Sequence, residues 1–208
     1  MVGQRLPEFD LLETIRWSPG EGFFLLDRHL ARMQGSAEYF GFPFDVSSVT
    51  SALDEVVRGS VGHRRVRLLL SRDGAVRAEQ LALTSPPVPL QVVVAAAPID
   101  QDDRFLFHKT TNRVVYESAR LLNFDEVILW NVDREVTEAA TANIVVEIDG
   151  RRVTPPVRCG LLAGTYRAEL LERGEIEEAV IGLEDLRRAN GLWLINSVHE
   201  WRAAKLSS

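Results

Sequence analysis

Lysine is scarce in this chain of 208 residues, although 24 residues are lysine or arginine. Only Lys109 and Lys205 are lysines. An arginine side chain stays protonated in proteins, whereas a lysine can lose its proton and act as a nucleophile or a base. Lys109, in mid-chain, is therefore a candidate for chemistry, with chance retention in an arginine-rich chain as the alternative. Lys205, near the last residue, is expected to be a solvated tail residue.

Cysteine, long apolar runs and excess positive charge are also missing. Cys159 is the only cysteine, so it cannot form an internal disulfide, and the four scattered histidines add no metal-ligand spacing. No apolar run approaches the roughly 20 residues of a membrane span, and the first residues lack a signal-peptide pattern. The net charge of -6 disfavours a nucleic-acid partner. We expect a cytoplasmic protein with no structural metal, no membrane span and no nucleic-acid partner.

The composition, with 46% hydrophobic and 26% charged residues, is that of an ordinary globular protein. Uneven alternation of strand-like and helical patterns predicts an α+β fold. Strands are predicted at 11–17, 22–26, 66–70, 77–83, 90–95, 105–109, 126–130, 143–148, 152–154 and 192–196. Helices are predicted at 27–40 with Asp27 as N-cap, 49–58 with Ser47 or Ser48 as N-cap, 114–122, 165–173 and 183–189. A polar, proline-bearing stretch after Ala96 predicts two lobes, 1–98 and 99–208, the second carrying Lys109.

The predicted strand FLFHK supplies a first argument about Lys109. Alternation along a strand would put Phe105, Phe107 and Lys109 on one face. Such an apolar neighbourhood would favour the neutral amine, which imine formation requires. The alternative is a strand-end lysine whose amine reaches water.

Five short motifs follow one another along the chain: HLARM (29–33), HKTTNRVVY (108–116), EAATAN (138–143), GLLAGTYR (160–167) and INS (195–197). In this order they resemble the class IV aminotransferases, the fold-type IV pyridoxal-phosphate enzymes. That group includes branched-chain and D-amino-acid aminotransferases and 4-amino-4-deoxychorismate lyase. The resemblance implies pyridoxal 5'-phosphate as cofactor. It also implies a two-lobed fold like that of D-amino-acid aminotransferase, with a small N-terminal α/β lobe and a larger, β-barrel-like C-terminal lobe with helices.

The resemblance assigns the two groups closest to the chemistry. Lys109 matches the Schiff-base lysine, which also moves the proton at the substrate carbon. Glu138 resembles the carboxylate that faces the pyridine nitrogen and keeps that nitrogen protonated, with a surface glutamate as the alternative. Asn143 is expected to shape the loop that follows Glu138.

The phosphate is assigned by the same resemblance. Arg32 matches the arginine that pairs with it, and the alternative is a solvated helix arginine. The backbone amides of Thr165 and Tyr166 stand at a helix start, where N–H groups and the helix dipole favour an anion. Ser197 matches the hydroxyl residue that completes the phosphate site, although it could equally cap a turn.

Further pocket residues are more loosely matched. Tyr116 and Asn112 follow the lysine at spacings seen in relatives, where a tyrosine reaches the ring oxygen of the cofactor; Tyr116 could instead pack in a helix core. Thr14 lies on a strand that lines the pocket in this family, so its hydroxyl could relay protons. For the substrate carboxylate the only candidates are Arg72 and Arg77.

The opening segment 11–42 most resembles the lyase domain that is often fused to a chorismate-aminating synthase. The first hypothesis is therefore a lyase of folate biosynthesis that converts 4-amino-4-deoxychorismate to 4-aminobenzoate and pyruvate. The second is an aminotransferase for branched-chain or D-amino acids, and the third is an inert binding or assembly domain of the same fold. A homodimer is expected from relatives, and a separate chorismate-aminating synthase is a possible partner.

Overall fold

The computed structural model describes residues 7–85 and 87–207. These residues form two compact units, one made of residues 7–83 with His108–Arg113, the other of 84–107 with 114–207 apart from Pro86. Each unit combines helices with a sheet, which confirms the predicted α+β class. Within the described ranges no helix is both long and apolar enough to cross a membrane.

The first unit contains a four-stranded antiparallel sheet in the order β2-β1-β3-β4. Its strands are β1 (Leu11–Ser18), β2 (Gly22–Phe23), β3 (Arg64–Leu70) and β4 (Val76–Ala82). Alternation along β1 places Leu11, Glu13 and Ile15 on one face. Leu11 and Ile15 are fully buried, and Glu13 is a buried carboxylate between them.

Two helices belong to this unit, α1 (Leu26–Phe40) and α2 (Val46–Val57). The N-caps differ from those predicted. Leu25, in the left-handed conformation with φ 54, precedes α1, whereas Asp27 lies inside the first turn, where its charge suits the helix dipole. Asp45 caps α2 by accepting the backbone N–H groups of Ser47 and Ser48, because its carboxylate offers one oxygen to each donor.

The second unit contains an eight-stranded sheet in the order β10-β9-β8-β11-β12-β5-β6-β7. Its strands are β5 (Leu90–Val94), β6 (Glu126–Trp130), β7 (Val136–Ala139), β8 (Asn143–Ile148), β9 (Arg151–Thr154), β10 (Glu177–Glu178), β11 (Gly191–Asn196) and β12 (Glu200–Leu206). An isolated bridge pairs Ala139, at the end of β7, with Ala142, just before β8. The curled sheet packs around a core that includes Val92, Ile128 and Leu194. Strands β7, β10 and β12 were not predicted.

Lys205 lies on one of those unpredicted strands rather than in a solvated tail. Its backbone pairs with Gln91 in the parallel β12–β5 ladder, while its side chain is exposed. The tail prediction was wrong for the backbone, because a ladder to a strand more than a hundred residues away leaves no local signal in the sequence.

Four α-helices and a short 3-10 helix (Val157–Cys159) complete the unit. The α-helices are α3 (Arg104–Phe107), α4 (Val114–Ser118), α5 (Thr165–Glu172) and α6 (Leu183–Arg188). The predicted strand 105–109 is wrong, because α3 forms there. The Asp103 carboxylate accepts the N–H of Phe105 at 2.9 Å, and Leu106 is fully buried. A short apolar run fits a strand and a helix equally well. The argument that Phe105 and Phe107 share a strand face with Lys109 therefore fails.

The boundary between the two units does not lie between residues 98 and 99, where it was predicted. β5 already belongs to the second sheet, because it pairs with β6 and β12. The segment His108–Arg113, which includes Lys109, belongs to the first unit. Chain connectivity alone does not reveal that this short segment returns to the first sheet.

Gly160 offers a test of packing in the second unit. Its φ is +92, and a Cβ built on it would lie 2.7 Å from the Cα of Gln101. Gly150, with φ +75, has nothing within 4 Å and is a matched control. We expect Gly150→Ala to lower the free energy of unfolding by about 1–2 kcal/mol, the cost of a left-handed residue. Gly160→Ala adds a backbone collision and should cost clearly more in chemical denaturation; equal losses would contradict this packing.

Candidate active site

Lys109 lies in a segment that runs beside β1. The backbone N–H of Leu12 donates to the carbonyl of Lys109 at 2.9 Å, and the N–H of Thr111 donates to the carbonyl of Asp10 at 2.9 Å. The N–H of Asp10 in turn donates to the Thr111 hydroxyl at 2.9 Å. These bonds fix the backbone from the carbonyl of Lys109 to Thr111, and the side chain of Lys109 is half-buried.

His108, the residue before Lys109, is held by α1. Its Nδ1 lies 3.0 Å from the Ser36 hydroxyl, and its ring stacks on Tyr39 with centroids 4.4 Å apart. The edge of Phe40 meets the same ring at 4.8 Å. Partial burial lowers the pKa of His108, which favours the neutral imidazole. The segment that carries the lysine is therefore fixed by β1 and by α1.

Arg32 lies on α1 and is bound by Glu13 of β1 through two hydrogen bonds. Its Nε donates to Oε1 at 2.8 Å and its Nη2 donates to Oε2 at 2.7 Å. His29 Nδ1 lies 2.6 Å from the same Oε2. The alternative interpretation of Arg32 as a solvated helix arginine is wrong, since only 15% of its side chain is exposed.

The side chains of Glu13 and His29 are each about 1% exposed. Burial raises the pKa of Glu13, but the charges and hydrogen bonds of Arg32 and His29 outweigh burial and lower the pKa to about 2. Sequence reasoning missed both residues. The available signals were a carboxylate on the otherwise apolar face of β1, and the spacing of three between His29 and Arg32, which puts them on one helix face.

The structure also gives the positions of the more loosely matched candidates of the first unit, Thr14, Asn112, Arg72 and Arg77. Thr14 follows Glu13 on β1, points to the opposite face and is half-buried. The backbone N–H of Asn112 donates to the Thr110 hydroxyl at 3.2 Å. Arg77 pairs with Asp10 at 3.1 Å on the surface, and the Arg72 guanidinium lies 5.7 Å from the centre of the Phe42 ring.

In the second unit, Glu138 on β7 is buried, with 4% of its surface exposed. Its carboxylate accepts the Tyr116 hydroxyl at 2.7 Å, the backbone N–H of Leu162 at 3.2 Å and the Asn143 amide at 3.3 Å. The alternative interpretation as a surface glutamate is therefore wrong. The structure brings together three residues that were singled out separately, and the hydroxyl of Tyr116 contacts Glu138.

Asn143 joins Glu138 to the start of α5. Its side-chain amide also donates to the carbonyl of Leu162 at 2.9 Å, and a Cβ at Gly164 would collide with its Oδ1. Gly164 precedes α5 and has no side chain with which to cap the helix. The first turn of a helix directs backbone N–H groups outward, which favours an anion there.

Thr165 and Tyr166, the first residues of α5, are both buried. The Tyr166 hydroxyl lies 3.3 Å from Glu200 Oε2. Burial and the charge of Glu200 raise the pKa of Tyr166 to about 12, so this phenol stays neutral in the physiological range. The side chain of Tyr166 is thus directed to Glu200, and only its backbone amide is a candidate for an anion.

Ser197 is buried in the turn after β11. That turn is shaped by Asn196, whose side-chain oxygen accepts the backbone N–H groups of Val198 at 3.0 Å and His199 at 2.9 Å. The Asn196 amide also donates to the carbonyl of Thr141 at 3.2 Å. Asn196 therefore caps this turn, and the phosphate-binding role of Ser197 stays a prediction.

The Glu13 cluster, made of Glu13, His29 and Arg32, makes the free energy of unfolding depend on pH. Because the folded pKa of Glu13 is about 2 and its ordinary value is 4.5, its contribution is complete above about pH 5 and is lost as the pH falls toward 2. One proton changes the slope by up to about 1.4 kcal/mol per pH unit. Glu13→Gln should therefore lose less unfolding free energy than wild type between pH 5 and 3, although it is less stable at pH 7.

Glu38→Gln on the same helix is the matched control, since Glu38 is exposed and accepts only a surface hydrogen bond from Gln34 in the structure as described. Urea denaturation at several pH values measures the slopes. A Glu13→Gln slope equal to those of wild type and Glu38→Gln would contradict the ionised cluster.

Comparison with known proteins places the chain in a family. Residues 10–206 match the family model described as amino-transferase class IV. A Schizosaccharomyces pombe protein provisionally named aminodeoxychorismate lyase is 31% identical over 204 residues, which cover 92% of this chain and 87% of that protein. A crystal structure from Mesorhizobium loti, provisionally named an amino-acid aminotransferase, is 36% identical with a TM-score of 0.90, covering 96% of this chain and 100% of that one.

A Legionella pneumophila structure provisionally named 4-amino-4-deoxychorismate lyase shares the fold, with a TM-score of 0.85 at 19% identity, over 99% of this chain and 89% of that one. The predicted fold type is thus confirmed. On the family match over nearly its whole length, the chain belongs to the class IV aminotransferases.

Proposed function

We propose that the chain binds pyridoxal 5'-phosphate through the residues described above. Lys109 would bind the aldehyde carbon, and Glu138 would face the pyridine nitrogen. Arg32, the backbone amides of Thr165 and Tyr166, and the Ser197 hydroxyl would bind the phosphate. The chemistry of this donor set fits the cofactor, because it offers one amine, one buried carboxylate and anion-binding groups.

The hydrogen bonds of Glu138 support its assignment as the group that faces the pyridine nitrogen. Its three described donors fix the direction of the buried carboxylate, and a fixed carboxylate can hold a proton on a ring nitrogen. Asn143 and Tyr116 would then act by orienting Glu138. Thr14 and Asn112 remain candidates for the substrate pocket.

We infer that the reaction is the conversion of 4-amino-4-deoxychorismate to 4-aminobenzoate and pyruvate. The choice rests on one observation, the 31% identity over 92% of this chain to the S. pombe protein provisionally named aminodeoxychorismate lyase. When bound, the cofactor supplies an electron-accepting ring that stabilises negative charge at the substrate carbon.

The residues of this chain have simple tasks in that reaction. With its side chain free, the Lys109 amine would take the proton from the ring carbon that bears the nitrogen. The carbon–oxygen bond at the neighbouring ring carbon would then break, and the ring would become aromatic. The three-carbon side chain leaves as enolpyruvate, which takes up one proton, balancing the proton that Lys109 removed, and becomes pyruvate. Glu138 would hold the proton on the pyridine nitrogen, and the reaction would consume no 2-oxo acid acceptor.

A second candidate function is an aminotransferase for branched-chain or D-amino acids. The observation that favours it is the 36% identity to the M. loti structure provisionally named an amino-acid aminotransferase. In that reaction Lys109 would return the proton to a different carbon, and a 2-oxo acid would be required. An inert domain of the same fold is disfavoured, because the lysine, the buried carboxylate and the phosphate arginine are all present.

Lysine scarcity makes the covalent assignment easy to test. Borohydride treatment of protein loaded with the cofactor should attach the reduced cofactor, as a covalent label, to Lys109 alone. Lys109→Ala should not be labelled, and its rate should fall by about 10²–10⁴-fold or more, since acid–base catalysis usually contributes that factor. Lys205→Ala is the matched control and should keep both, because Lys205 is exposed on β12. Peptide mass spectrometry locates the label; labelling at Lys205 would overturn the assignment.

Product analysis separates the two reactions. The lyase should release pyruvate from 4-amino-4-deoxychorismate with no acceptor present. If glutamate forms from amino acids and 2-oxoglutarate, and no pyruvate forms from 4-amino-4-deoxychorismate, the lyase proposal is overturned in favour of the aminotransferase.

We also propose that the protein is a cytoplasmic homodimer of folate biosynthesis, supplied by a chorismate-aminating synthase. Dimers are the commonest symmetric assemblies, and the family resemblance favours one here. Light scattering on the purified protein should give twice the chain mass of 23.3 kDa. A mass equal to one chain at all concentrations would overturn the dimer.

A further inference from the structure

Glu13 and Arg32 form a contact whose geometry is tighter than a surface ion pair requires. Two parallel hydrogen bonds, of 2.8 and 2.7 Å, join the guanidinium to the carboxylate. Such a two-point contact fixes the plane and the direction of the guanidinium, which a single contact would leave free to rotate. His29 at 2.6 Å restrains the carboxylate in turn.

We propose that Glu13 is a positioning residue for anion binding: by fixing Arg32 through its Nε and Nη2, it sets the orientation in which the guanidinium meets the cofactor phosphate. This inference rests on the proposed function. It adds a residue that touches neither the cofactor nor the substrate and acts through Arg32.

Burial favours positioning over simple stabilisation. A buried ion pair seldom stabilises a fold better than apolar side chains of the same size, since both charges lose their hydration. Glu13 shares its face of β1 with the fully buried Leu11 and Ile15, so an apolar residue would suit that position. A carboxylate there is useful if the arginine it binds must point in one direction.

The same strand fixes the lysine. Leu12 donates its backbone N–H to Lys109, and the next residue, Glu13, binds Arg32. On α1, Arg32 precedes Ser36 by one turn, and Ser36 contacts His108. One strand and one helix therefore set the separation between the backbone of the amine-bearing residue and the guanidinium. Loss of Glu13 removes these two hydrogen bonds to the guanidinium and leaves the Lys109 backbone bonds intact.

Affinity for two forms of the cofactor distinguishes positioning from general stabilisation. Pyridoxal lacks the phosphate but carries the same aldehyde. Glu13→Gln should weaken pyridoxal phosphate binding by about 10–100-fold, the usual effect of losing a group that orients a ligand-binding residue. Its affinity for pyridoxal should match wild type. Glu38→Gln, on the exposed side of α1, should leave both affinities unchanged.

Two further variants keep the test decisive if Glu13→Gln folds poorly. Glu13→Asp keeps the charge and withdraws the carboxylate by one methylene, so it should show the same selective loss. In the double variant Glu13→Gln/Arg32→Gln, pyridoxal phosphate affinity should equal that of Arg32→Gln alone, because Glu13 acts only through Arg32. Near-ultraviolet circular dichroism establishes that each variant is folded before titration.

The outcomes separate the two proposals. If wild type binds pyridoxal phosphate and labels at Lys109, but Glu13→Gln loses affinity for both forms equally, Glu13 is structural and the positioning proposal is overturned. Unchanged affinity for both forms in the folded variants overturns it as well. If wild type binds neither form, the proposed function itself fails and the inference fails with it.

Discussion

The backbone hydrogen bonds between β1 and the segment around Lys109 are the constraint on which the candidate chemistry depends. They join residues about a hundred positions apart in the chain and make Lys109 part of the first unit. A lysine in a free loop would sample many directions, and its amine would rarely be in the geometry that the reaction requires. Here the backbone bonds to Leu12 on β1 and to Asp10 just before it, with the contacts of His108 to α1, limit the positions available to the amine.

Two buried carboxylates illustrate different solutions to the cost of burying charge. Glu13 is compensated by Arg32 and His29, which lower its pKa to about 2 and keep it ionised. Glu138 accepts from the hydroxyl of Tyr116, a backbone N–H and the Asn143 amide, so its direction is set by several donors of fixed geometry. The first arrangement suits a group that orients an arginine. The second suits a group that must face a ligand atom.

The relatives at more than 30% identity carry names from two reactions, a lyase and an aminotransferase. The physical reason for this ambiguity is that both reactions begin with removal of a proton from the carbon that bears the amine. They therefore need the same base and the same electron-accepting ring. They differ in the next step, because the lyase expels the three-carbon group from the neighbouring carbon, whereas the aminotransferase returns the proton to a different carbon. Residues that hold the cofactor are common to both. Discrimination must come from groups that contact the rest of the substrate.

The sequence by itself determined the family, the order of the motifs and several strands. Glu126–Trp130 and Asn143–Ile148 were predicted at their observed bounds, because short segments rich in β-branched and other apolar residues, bounded by turn residues, favour strands. Only the tertiary structure decided that 104–107 is a helix, that Lys109 belongs with β1, and that Glu13 binds Arg32. Each of these depends on a partner distant in sequence: a buried site for Leu106, a strand edge for residues 109–111, and a helix packed over β1. Local patterns record the tendency of a segment to form a helix or a strand, but the partner that satisfies its backbone and its charges is set by packing.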